Sequence, residues 1–193
     1  IDNALKPILS GYTCRAASSC SSDIINIIHD LYGNKLLDLT SAGGRGTCGL
    51  NCILQPNGRK KNAFFDLLSD STDFAMSLKD DEYSKSAFAY IKTHLKKCKA
   101  LLVELCPIYR PGKCWTRGLL YKTRELCDLY DCAMIIDDAM FSIRCGYTLS
   151  SECANITPDA VILGTKVLTI ACLMVNCFAR ERLRNPLGFT GQE

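Results

Sequence analysis

A chain of 193 residues with 48% hydrophobic and 22% charged side chains can bury a real core, and its length suits a single domain. The net charge is only +3 and its basic residues are scattered, which argues against nucleic acid as a partner. Thirteen cysteines stand beside only two histidines, with no C-x-x-C pair, which argues against a zinc finger or ribbon, and no metal site is expected.

Cys106, Cys132, Cys172 and Cys177 sit inside apolar runs, where a reduced thiol acts as a small hydrophobe. No signal peptide opens the sequence, so the expectation is an intracellular, reduced protein. The first residue is Ile1, which reads as a processed product or a piece of something longer.

In chain order, Ile24, Ile27, Ile28 and Leu31 have helical spacing, predicting a helix over 21–31 capped by Ser22 or Asp23 and ended by Gly33-Asn34. A short strand follows over 35–40. Ser41-Ala-Gly-Gly-Arg-Gly46 is a glycine-rich loop without the Lys-Ser/Thr of a P-loop. Arg59-Lys60-Lys61 reads as a solvated loop. Residues 64–97 read as helix-rich, with a break near Lys79-Asp-Asp81. Ala100-Leu-Leu-Val-Glu104 is a buried strand, 107–118 a loop, 119–129 a helix, and 133–136 the next strand. Residues 142–157 read as loop and turn, and 160–163 as a third strand. The apolar stretch 160–179 approaches the length of a membrane span, but Thr165, Lys166 and Asn176 interrupt it, predicting a buried strand followed by a buried helix. The rhythm predicts an α/β fold, a mostly parallel sheet with helices on both faces.

Two segments carry the chemistry. Tyr130-Asp-Cys-Ala-Met-Ile-Ile-Asp-Asp138 and Pro158-Asp-Ala-Val-Ile-Leu-Gly-Thr-Lys166 are apolar runs that each end in charge. Open α/β sheets bind ligands at the carboxyl ends of their strands. A carboxylate at Asp137 and an amine at Lys166 suit pyridoxal phosphate, the acid holding the pyridinium nitrogen and the lysine forming the Schiff base. Glu104, ending another strand, is a supporting candidate. A separate candidate is Cys48 in Thr47-Cys-Gly-Leu-Asn-Cys-Ile-Leu-Gln55, which resembles the cysteine box of ubiquitin-specific proteases; a helix start would lower its thiol pKa, with His94 as the sole downstream base.

Residues 98–185 resemble the large domain of fold-type I pyridoxal-phosphate enzymes, best the α-oxoamine synthase group that includes the serine palmitoyltransferase subunits. The resemblance rests on Leu102-Val-Glu104, the helix Thr123-Arg-Glu-Leu-Cys-Asp-Leu-Tyr130, Ile136-Asp-Asp-Ala-Met140, Gly146, and Pro158 through Leu168. Gly33 through Ser41 and Gly46-Thr-Cys-Gly49 extend it within the N-terminal 1–60. Class III aminotransferases are the nearest rival. The resemblance implies pyridoxal phosphate as cofactor, Lys166 as the catalytic lysine, and Asp137, Met140 and Thr165 around the ring.

Three departures stand out. Met140 replaces the family's cofactor-touching histidine, Lys166 comes two residues early, and the segment before Ala100 is too short for the usual phosphate-binding turn. A shortened, non-catalytic or weakly active subunit is therefore the expectation. It would pair with a larger homologue or a second copy in sphingoid-base synthesis, in the cytoplasm or at the endoplasmic reticulum surface with possible peripheral membrane association. An active aminotransferase-like enzyme and a Cys48 hydrolase are the alternatives.

Overall fold

The computed structural model describes residues 10–40, 63–71, 73–107, 112–141, 145–164 and 171–176. Strand β1 (Tyr12–Ser18) leads into helix α1 (Ser21–Tyr32) and, through a 3-10 turn, to β2 (Leu36–Leu39). A two-residue strand β3 (Ser69–Asp70), a one-turn helix α2 (Phe74–Ser77) and helix α3 (Lys85–Leu95) follow. Next come β4 (Ala100–Val103), the short β5 (Lys113–Cys114), helix α4 (Arg117–Leu129) and β6 (Ala133–Asp137). Helix α5 (Ser150–Cys153), β7 (Ala160–Leu163) and β8 (Ala171–Asn176) complete the described elements.

Six strands form one sheet in the order β1-β8-β7-β6-β4-β2. The run β7-β6-β4-β2 is parallel throughout, and β8 joins antiparallel to both β7 and β1. The fold is therefore α/β with a mostly parallel sheet, as the sequence predicts. Strands β4, β6 and β7 are buried along their whole length, which is why each reads as a continuous apolar run rather than an alternating one.

Alternate residues of these strands feed two cores. Leu101, Val103, Met134 and Ile136 pack on one face with Ala87, Ile91 and Leu95 of α3 and Leu119, Leu120 and Leu126 of α4. Leu102, Ile135, Ala160 and Ile162 pack on the other with Ile24, Ile25 and Ile28 of α1. Helices thus cover both faces, and the period of 2 in the strands decides which side chain meets which helix. Ser84 caps α3 by accepting from the Ala87 amide at 3.3 Å, and Thr116 caps α4 by accepting from the Leu119 amide at 3.3 Å.

Helix α1 starts at Ser21 as predicted, but its cap is neither Ser22 nor Asp23. Cys20 is its extended N-cap, without a side-chain cap, and Asp23 instead accepts from the Ser18 hydroxyl. Gly33 ends the helix at φ 52, where a side chain would be strained.

Two further expectations are corrected. The predicted helix after β7 is strand β8 in its described part. An apolar run of six residues has no period to tell helix from strand, and here it is sandwiched between β7 and β1. The predicted loops also hold β5 and α5. No helix among the described residues is long and apolar enough to cross a membrane.

Candidate active site

All four parallel strands point their carboxyl ends at one edge of the sheet. Register sets what gathers there. Leu39 pairs with Val103, and Val103 with Ile136, so the next residues, Thr40, Glu104 and Asp137, stand level on three neighbouring strands. All three are buried, with exposures of 3%, 2% and 3%. By strand alternation they lie on the α1 face, beyond Leu102 and Ile135. Polar groups are rarely buried in a row without a purpose, because each must be solvated by the protein itself.

Asp137 and Thr40 are held locally. Asp137 Oδ1 accepts from the Ala139 amide at 3.0 Å, which fixes the turn out of β6. Asp38, on β2, accepts from both the Thr40 amide and hydroxyl at 2.8 Å through one oxygen, and its other oxygen meets His29 Nε2 at 2.9 Å. That hydrogen bond raises the His29 pKa against the opposing effect of burial. The dyad ties the last turn of α1 to the edge strand β2.

Asp138, on the far side of the same turn, is more deeply buried than Asp137. Its amide donates to Ile162 O at 3.0 Å and closes the gap to β7. Its Oδ2 accepts from the Ser150 amide at 2.8 Å, anchoring α5. Its Oδ1 has no hydrogen-bond partner, and neither does the buried Ser150 hydroxyl. Burial pushes the acid up to about 7; nearby Ser150 opposes this, and the charges of Asp137 and Glu152 add to it.

Gly164 ends β7 under the Ala139 carbonyl. A Cβ there would lie 2.2 Å from that oxygen, so only glycine lets the chain leave β7 on this path. Met140 follows Ala139, half-buried, and offers a thioether rather than a hydrogen-bond donor. Thr165, Lys166, Cys48 and the loop 43–46 lie outside the described residues. His94 is exposed; its Nδ1 is engaged with Tyr90 O at 2.8 Å and its ring stacks on Tyr90 at 4.1 Å. Among the described residues, no group of His, Cys, Asp and Glu is placed to hold a metal ion.

Sequence reasoning found Asp137 and Glu104 but passed over Thr40, the His29–Asp38 pair and the burial of Asp138. The Ser150-Ser-Glu152 signal of a helix start was readable in the sequence and would have suggested a partner for Asp138.

No family profile matches the sequence, and no curated relative matches it. Solved structures do. An aminotransferase from Bacillus anthracis matches with a TM-score of 0.65 at 13% identity, over 98% of this chain and 47% of that one. A lysine aminotransferase from M. tuberculosis matches at 0.61 and 14%, over 97% and 50%. A PLP-bound aminotransferase from Vibrio fluvialis matches at 0.58 and 15%, over 95% and 48%.

This chain has the fold of pyridoxal-phosphate aminotransferases. It spans about half the length of the solved structures that it matches. The pyridoxal-enzyme part of the expectation is thereby supported at the level of fold. The described edge also fits such a cofactor at one point: Asp137 offers a buried carboxylate, the chemistry a pyridinium nitrogen requires.

Proposed function

We propose that this chain is a pyridoxal-phosphate-dependent transferase of the aminotransferase kind, or the cofactor-holding part of one. Asp137 would anchor the ring nitrogen, and Lys166 would supply the amine that meets the cofactor's aldehyde carbon. Thr165 and Met140 would flank it, the threonine with a hydroxyl and the methionine with apolar contact. When bound, the cofactor supplies an electron sink for negative charge developing on an amino-acid substrate. The chain's own share is to keep positive charge on the ring nitrogen, exclude water from that end of the sheet, and present an amine for proton transfer.

The supporting observation is the buried Asp137 at the carboxyl end of β6, within a fold shared with solved aminotransferases. The chain spans about half their length, so the remainder of such a site would come from sequence beyond these residues, a larger homologous subunit or a second copy.

One observation favours a second reading. Met140 stands where the α-oxoamine synthase group has a histidine, which fits a serine palmitoyltransferase-like subunit that stabilises an active partner in sphingoid-base synthesis. An absorption spectrum separates the two. The first reading expects a new band on adding pyridoxal phosphate, lost in Lys166→Ala. The second expects no band from this chain alone and co-purification with a larger homologue.

A further inference from the structure

The first acid of the pair at the end of β6 has a role in the proposed site, but its neighbour does not. Asp138 is 1% exposed. A carboxylate there has lost its water, and ionised groups are buried only when paired or fully hydrogen-bonded. Asp138 has one hydrogen bond to one of its oxygens, from the Ser150 amide at 2.8 Å, while Oδ1 has none. It has no salt-bridge partner among the described residues. Among the described residues, the titratable groups around it are Asp137 on its own strand, Glu152 on α5, Cys145 before α5, Cys106 after β4 and Tyr12 on β1, and none of these is a cation. Burial raises the thiols of Cys106 and Cys145, and it raises the Tyr12 phenol to about 12, so these groups remain uncharged at neutral pH. Two adjacent carboxylates in such a place do not both ionise readily.

We propose that Asp138 is a positioning residue that holds its proton well past the pH at which an exposed carboxylate loses it, leaving Asp137 as the acid of the pair that faces the proposed cofactor. The functional half of this statement rests on the reading of Asp137 as the anchor of the ring nitrogen. The neutral acid still accepts from the Ser150 amide and so holds α5 against the strand end. Its proton turns Oδ1 into a donor, with the neighbouring Ser150 hydroxyl as the acceptor. A lone neutral neighbour also removes the repulsion that would otherwise disfavour charge on Asp137.

The test uses the 193-residue chain without cofactor, so its outcome is separate from that of the absorption experiment. The carboxyl carbon of Asp138, followed by nuclear magnetic resonance, is expected to titrate near neutrality. A titration in the ordinary carboxylate range overturns the proposal. Stability against pH gives the second readout. A folded acid that holds its proton longer than the unfolded one makes stability fall as pH rises from about 4 to about 7. Asp138→Asn mimics the neutral acid and is expected to flatten that fall, whereas Asp138→Ala loses the Ser150 contact and is less stable at every pH. An Asn variant with the wild-type slope, or one as damaged at pH 5 as the Ala variant, contradicts the proposal.

Discussion

Strands β6 and β7 have an acid beside each end, the half-buried Asp159 and the buried Asp138, and the two are treated in opposite ways. Near their amino ends, Asp159 Oδ2 takes Arg124 Nη1 at 2.6 Å and the Met134 amide at 2.8 Å. Arg124 also reaches Asp128, one turn along α4, at 3.0 Å. Charge meets charge, and helix α4 is locked to the strands it connects. At the carboxyl end, Asp138 has one amide and no cation among the described residues. The amino end is built for stability. The carboxyl end keeps Asp138 buried with no cation beside it among the described residues, at the edge where open α/β sheets place their chemistry.

The largest expected effect breaks the amino end. Arg124→Ala leaves Asp159 mostly buried with only an amide, and should cost about 3 kcal/mol in urea unfolding. A loss under about 1 kcal/mol would mean that the ion pair is no more than a surface contact. Next is Gly164→Ala at the carboxyl end. The new methyl would meet the Ala139 carbonyl, a backbone atom that cannot swing aside, so a loss of about 2 kcal/mol is expected in the same assay.

The smallest effect concerns the His29–Asp38 link. The folded pKa of His29 is raised, so its contribution is complete below the unfolded value and disappears as pH rises through the folded one. The ring is about a third exposed, which limits the contribution to under about 1 kcal/mol. His29→Asn should therefore lower the melting temperature at pH 5.5 and leave it nearly unchanged at pH 8.5. Equal losses at both pH values would assign the link to neutral hydrogen bonding instead.

The parallel half of the sheet was legible because β4, β6 and β7 are buried on both faces and spell themselves as apolar runs. The antiparallel half was not. Strand β1, with Thr13, Cys14 and Ala17 exposed, lacks such a run, and β8 reads equally well as helix. Asp137 could be found because it follows an apolar run. The different setting of Asp138 could not, because adjacency in sequence says nothing about which face of the sheet each of two neighbouring acids meets, or that Asp138 is held by the Ser150 amide. Thr40 was hidden for the same reason: only the pairing of β2 with β4 brings it level with Glu104.

The central claim is that Asp137 is the charged member of its pair and holds the cofactor's ring nitrogen. The affinity of the chain for pyridoxal phosphate, measured by equilibrium titration for wild type and Asp137→Asn, tests it most directly. Loss of the charge should weaken binding at least about tenfold, equivalent to about 1.4 kcal/mol. Equal affinities, or no binding by the wild type, would contradict it.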